Sequence, residues 1–384
     1  MGFFGALLIT TIISPAGDTT YARLSATIGE NAPRTPFFIG EVSGLALDDA
    51  GRLYISDFQE PRVVVFAPDG RQLGIIGRKG QGPGEFTAPT GPFIAPDGSL
   101  WVRNMDQVAH FVVDAKTGLP TKFDRAFRGP ALAPWRSKVP SLIDRAGRFY
   151  FPREVGGRDG LTHHAYLRFR LDGQQLDSLG VPLHPTARSE WAFYSISQGT
   201  GKMVPGLAVV PFHPLPVWAA TPAGTMLSGP ADKYELIETG PDGRSIHTIT
   251  RVVPPMPIPV GERSDSLRAL KSRLDSLPVP MSALMGASEE VRALRLPEHY
   301  PFYRGLAVDP STGEVWVRRW SAGVLAHRTV VDVFTATGSY MRTVVLPMDC
   351  APQPGLVVRG GSAACVQVDP ESGAESVVLA QFRK

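Results

Sequence analysis

Eight side chains stand where short strand-like runs begin or end: Glu41, Asp57, Asn104, Arg153, Trp218, Arg304, Arg319 and Trp320. Arginine forks pair with carboxylates and stack on aromatic faces. Arginine beside tryptophan at one opening is therefore binding chemistry for a small acidic ligand, a glycan or a protein segment. The same residue types have a plainer use, in which arginines bridge packed sheets and tryptophans fill the core. Metal ligands are scarce. His163 and His164 are adjacent, so a strand would send them to opposite faces, and the other six histidines are dispersed. A hard cation wants several oxygen ligands. The closest set is Glu41 with Asn104, because Asn31, the other asparagine, falls in a connecting loop. No metal and no cofactor is expected.

Two glycine-rich strings imitate phosphate loops and fail on spacing. Gly80-x-Gly82-x-Gly84 lacks the dinucleotide fingerprint and has no following helix whose N-terminus could hold an anion. Gly199-Thr200-Gly201-Lys202 has Ile196 where a phosphate loop needs its first glycine, and Met203 where it needs Ser or Thr. No G-x-S-x-G elbow supports a serine hydrolase of that type. Cys350 and Cys365 fit either a disulfide or two separate buried thiols.

The elements that must position these groups repeat along the chain. A short apolar run, a glycine turn and a second apolar run recur, with turns such as Asp49-Ala50-Gly51, Pro96-Asp97-Gly98, Arg145-Ala146-Gly147 and Ser311-Thr312-Gly313. Gly51 and Gly98 are 47 residues apart, Gly98 and Gly147 are 49 apart, and Gly313 and Gly361 are 48 apart. Four short strands in such a period are the signature of a β-propeller. Composition agrees: 43% hydrophobic residues supply a core, and 40 glycines with 36 prolines supply the turns. The net charge of +3, without any block of like charges, gives no basic stripe for a nucleic-acid partner.

Read unit by unit, blade one runs Val42–Leu47, Arg52–Asp57, Arg62–Phe66 and Gln72–Ile76. Blade five runs Arg304–Asp309, Glu314–Arg319, Thr329–Phe334 and Tyr340–Leu346. The last unit offers only three strands, while Tyr21–Ile28 precedes blade one as an orphan. Pairing the two closes a six-bladed all-β ring without an unpaired edge. Two insertions break the period. His184–Phe212 reads as an irregular surface loop. Residues 252–298 read as a helical insertion between blades four and five, with Leu267, Leu270, Leu274 and Leu277 on one face, Ser264 as cap and a second helix over Ser288–Leu296. A lid packed on the rim suits that stripe better than a partner-binding helix.

Phe3–Ile13 is an apolar run of signal-peptide length, followed by the small residues Ser14 and Ala16 but preceded by no Lys or Arg. Residues 1–16 are expected to be a signal peptide and residues 17–384 a single propeller domain, exported to the periplasm or beyond, with no membrane span.

The run Ile75-Ile76-Gly77-Arg78-Lys79-Gly80-Gln81-Gly82-Pro83-Gly84-Glu85-Phe86, with Pro89, Asp97-Gly98 and Leu100-Trp101-Val102, resembles the blade signature of NHL-repeat propellers. Val315-Trp316-Val317 stands where blade two has Leu100-Trp101-Val102. The whole chain resembles bacterial exported six-bladed propellers of the NHL/TolB-like group. That resemblance implies the fold. The group includes enzymes, sensors and binding modules, so the activity has to come from the site. Loops after second strands and before first strands share one face of a propeller, and this gathers the eight residues named above at the channel mouth. The expectation is a monomeric module that binds a ligand or protein there. The alternative is a lyase or lactonase-type enzyme with a metal-assisted site in the channel.

Overall fold

The structure is a computed structural model, describing residues 19–30, 32, 37–130, 142–156, 162–182, 191–198, 202–275 and 296–382. Two N-terminal strands, β1 (Thr19–Tyr21) and β2 (Arg23–Ile28), come first. Blade one is β3 (Val42–Leu47), β4 (Leu53–Asp57), β5 (Arg62–Phe66) and β6 (Gln72–Ile76). Blade two is β7 (Pro89–Ile94), β8 (Leu100–Asn104), β9 (Gln107–Val112) and β10 (Lys122–Arg128). Blade three is β11 (Leu142–Ile143), β12 (Phe149–Gly156), β13 (Thr162–Phe169) and β14 (Gln175–Gly180). A separate hairpin follows, β15 (Trp191–Gln198) with β16 (Lys202–Val209). Blade four is β17 (Val217–Ala220), β18 (Met226–Gly229), β19 (Glu235–Thr239) and β20 (Ser245–Thr250), and then helix α1 (Val260–Asp275). Blade five is β21 (Gly305–Val308), β22 (Val315–Arg319), β23 (Thr329–Phe334) and β24 (Tyr340–Leu346). Blade six is β25 (Val357–Arg359), β26 (Ser362–Val368) and β27 (Glu375–Gln381), completed by β2.

Local chemistry shapes the turns between first and second strands. Asp48 Oδ1 accepts the backbone N–H groups of Ala50 (3.0 Å) and Arg52 (2.9 Å), while its Oδ2 accepts Arg52 Nε (2.5 Å) and the Tyr54 hydroxyl (3.0 Å). Asp144 repeats the pattern with Ala146, Arg148 and Tyr150. Gly51 and Gly147 sit at φ +73° and +71°, where a side chain would be strained. The string Asp-x-x-Gly-Arg-x-Tyr thus encodes a turn that neutralises its own buried carboxylate. Burial, and then the Asp144 charge, push the Tyr150 hydroxyl up to about 12, so it stays a donor at neutral pH.

Packing follows from the runs of consecutive apolar residues. In β5, Val64 and Phe66 pack toward blade six, and Val63 and Val65 pack toward blade two. A strand covered on both faces needs apolar residues at every position. A hydrophobic cluster fills each of the six gaps between neighbouring blades, including the gap between blades six and one.

The ring closes as the orphan-strand reading requires, with one refinement. β2 pairs antiparallel with β27, but Tyr21 belongs to β1, which adds in parallel to β24 of blade five. The N-terminal segment therefore ties the outer edges of two blades. Two expectations change. The segment expected as an irregular loop contains the β15–β16 hairpin, whose residues are rich in aromatic and β-branched types. Helix α1 starts at Val260, just after Pro259, so Ser264 lies inside it and donates back to Val260 O (3.0 Å) rather than capping it. Of the leucine stripe, Leu270 is buried and Leu267 half-buried, and Tyr300 donates to Glu262 (2.5 Å), which fastens the helix to the chain entering blade five. The second expected helix and the expected signal peptide lie outside the described residues.

Cys350 and Cys365 form a disulfide with Cα atoms 5.5 Å apart, joining the loop after blade five to β26. Replacing both with serine is expected to cost about 3 kcal/mol, the loop-closure value for a link of this span. Urea unfolding reads this directly, and an unchanged midpoint would show that packing alone holds the loop.

Candidate functional site

All six inner strands line one central cavity of about 400 Å³. Its walls are mainly apolar, with Leu45, Phe93, Ile143, Val217, Leu306 and Leu356 along the middle. The inner strands run from the mouth face, near Glu41 and Arg304, to the opposite face that carries the first-to-second strand turns.

Two arginines converge at the mouth. Arg304 Nη2 donates to Asp349 Oδ1 at 2.8 Å, and Arg318 Nη2 approaches the same oxygen at 3.3 Å. Arg318 also donates to the carbonyls of Cys350 and Ala351, the latter at 3.1 Å. Arg318 comes from a second strand, yet it reaches the channel because its neighbour in register is Gly305, which has no side chain to block it. Its side chain is 6% exposed. Burial, and then the Arg304 charge, lower its pKa to about 10, so it remains a cation at neutral pH. Among the described residues, two guanidinium groups thus share one carboxylate, and the Nε atoms of both are buried without a partner. Among the described residues, the mouth therefore sets two guanidinium groups against one carboxylate beside an apolar cavity.

The eight residues expected at the mouth disperse. Only Trp218 and Arg304 line the cavity. Trp320 stands just behind Arg304, whose guanidinium lies 5.0 Å from the indole centroid, and Trp320 stacks on Tyr300 with Phe212 edge-on. Asp57 is buried and accepts from the N–H groups of Gly40, Glu41 and Glu60 and from Arg62, so it fixes the loop before β3. Asn104 does the same before β7 through Thr87 and Ala88. Arg319 turns away to Asp332 of β23 (3.7 Å). Arg153 is exposed on β12, and Glu41, half-buried, does not line the cavity. Glu41 and Asn104, the nearest approach to a hard-cation set in the sequence, form no oxygen cage, since Asn104 Oδ1 accepts from Thr87 and Ala88. Among the described residues no group of three or more His, Cys, Asp or Glu could hold a metal ion.

Reading single residues missed Arg318 and Asp349. A signal for the first exists: Trp101-Val102-Arg103 faces Gly91 in blade two just as Trp316-Val317-Arg318 faces Gly305 in blade five. Arg103 instead lies over the Phe151 ring and donates to Pro130 O at 2.5 Å.

The opposite end carries a polar network with an atom from every blade. Arg359 of blade six grips Asp49 of blade one through two bonds (2.7 and 2.9 Å) and points Nη1 at the Leu47 and Ile94 carbonyls (3.4 Å each). Ser311 of blade five donates to the same Asp49 (2.7 Å), and its carbonyl accepts Arg145 of blade three (2.8 Å), whose N–H bonds Pro222 O of blade four (2.9 Å). Arg359 holds the Asp49 carboxyl below the usual carboxylate range, so the pair persists as pH falls and is lost only below that lowered value.

The chain is thus a six-bladed all-β propeller with a cationic mouth on an apolar central cavity. A family described as "6-bladed beta-propeller" matches residues 34–113, covering blade one and most of blade two. No curated protein sequence matches the chain. Among solved structures, a member of the DUF4221 family from Bacteroides vulgatus is 10% identical, over 96% of this chain and 97% of that one, with a TM-score of 0.45. Virginiamycin B lyase from Staphylococcus aureus is 10% identical over 89% and 95%, with a TM-score of 0.40. A gluconolactonase from Xanthomonas campestris is 14% identical over 89% and 86%, also with a TM-score of 0.40. Likenesses at this level carry no argument about activity. No helix among the described residues is long and apolar enough to cross a membrane.

Proposed function

We propose that this protein is an exported, monomeric binding module of NHL-like build that takes a small acidic ligand into its central cavity through the mouth face. The observation that carries this reading is the pair Arg304 and Arg318 sharing the single carboxylate of Asp349 at the edge of an apolar chamber. An anion there is attracted by two guanidinium groups that share only one carboxylate, and its apolar remainder leaves water. A glycan suits the chamber less well, because its hydroxyls would meet walls with few partners.

Titration calorimetry with decanoate and with decanol tests the reading. Decanoate should bind, and decanol should bind at least tenfold more weakly. Arg304→Met should melt within a few degrees of the parent and bind decanoate roughly 10–100-fold more weakly, the worth of a charged hydrogen bond at about 1.5–3 kcal/mol. Equal binding of acid and alcohol, or no change in the variant, would remove the mouth from consideration. Activity that a chelator abolishes would point to the enzyme reading instead.

A further inference from the structure

The floor network bears on which acid fits. Resting on the reading of the cavity as an acid-binding site, we propose that the ligand is a monocarboxylic acid with a slender apolar body, and that the Arg359–Asp49 floor sets its maximum length. The carboxylate meets Arg318 and Arg304 at the mouth, and the body runs inward past Leu45, Phe93 and Leu306. Six blades contribute to the opposite end, and Arg359, 7% exposed, lies across it as the last residue of its inner strand. In this proposal the Arg359–Asp49 pair, with Arg145 reaching from blade three to Ser311 of blade five, closes the chamber at that end.

Its depth follows from the inner strands. The four residues Gly305–Val308 span ~13 Å at ~3.3 Å per residue. An extended chain of carbon–carbon bonds of ~1.5 Å advances ~1.25 Å per carbon, so ~10 carbons reach the floor. A second acid group at the far end is excluded by charge accounting. The Arg359 fork already has both arms on Asp49, and Ser311 occupies the same carboxylate. A dicarboxylate would bring an unpaired charge against a filled fork inside apolar walls, where an uncompensated charge is costly.

The test is a series of straight-chain acids from hexanoate to hexadecanoate, kept below their micelle concentrations, with decanedioate alongside. Affinity should climb to about ten carbons and fall at least tenfold by fourteen. Decanedioate should bind at least tenfold more weakly than decanoate. Arg359→Met keeps the apolar stem and releases the floor, so tetradecanoate should recover to within about threefold of decanoate. Asp49→Asn removes the charge pair that holds the Arg359 fork across the floor, so it too should relax the length limit, and it decides the matter should the first variant fail to fold. Parent protein that binds hexadecanoate as tightly as decanoate, or folded floor variants that keep the length limit, overturns the floor assignment and leaves the mouth standing. Binding that ignores the carboxylate altogether overturns the mouth itself.

Discussion

Removing the chain through Ile28 is expected to open the ring and cost at least about 5 kcal/mol, a large share of an ordinary domain's stability. β2 covers β27, whose Val377, Val378, Leu379 and Ala380 are all buried, and Ile28 itself is 0% exposed in the core between blades six and one. Without β2 those residues lose their outer cover, and β27 becomes a flat apolar edge ready to pair with another chain. β1 adds to the loss, because Ala22 N–H bonds Val345 O (3.0 Å) and the strand seals the outer edge of blade five. Urea unfolding and light scattering of the truncated protein would show an early transition and aggregation. Coincident unfolding curves for the two forms would mean that three strands suffice for blade six.

The second large effect is expected at Asp332, where substitution by alanine should destabilise by about 3–5 kcal/mol, as for a buried pair that loses one partner. Asp332 is fully buried on β23 and accepts the Tyr234 hydroxyl (2.7 Å) and Thr343 Oγ1 (2.7 Å). Arg251 pairs with it closely, and Arg319 stands 3.7 Å away. Tyr234 and Arg251 come from blade four, so this one carboxylate bolts blades four and five together. Burial, and then the Asp332 charge, raise the Tyr234 hydroxyl well above its ordinary value, which keeps it a donor. Alanine would leave two guanidinium groups facing a buried void. Arg319→Met should cost far less, since Arg251 still neutralises Asp332. A drop below about 1 kcal/mol for Asp332→Ala would show that solvent readily reaches the two arginines. Binding at the mouth should be indifferent to Arg319, because that side chain is committed to the bolt.

The amino-acid sequence by itself determined the repeat, the glycine turns such as Gly51 and Gly147, the strand boundaries to within a residue or two in blades one and five, and the N-terminal closure. The repeat, the turns and the strand boundaries are legible because each depends on neighbours close in the chain, such as a glycine at positive φ or an apolar run four or five residues long, whereas the closure joins β2 to β27 from opposite ends of the chain and is legible only because the last blade is one strand short. The alternation of Val63 and Val65 against Val64 and Phe66 already says that a sheet lies on each side. The site was only half legible. Arg304 and Trp218 fell where the mouth geometry put them, but Arg318 and Arg319 are adjacent and chemically identical. Strand alternation sends one to the channel and the other to Asp332, and nothing local says which. The floor was not legible at all, because Arg145 meets Ser311 across 166 residues and Arg359 meets Asp49 across 310. Contacts between residues so distant in the chain exist only once the six blades fix their distances around a common axis, so the tertiary structure alone decided which arginine enters the channel and what lies across its far end.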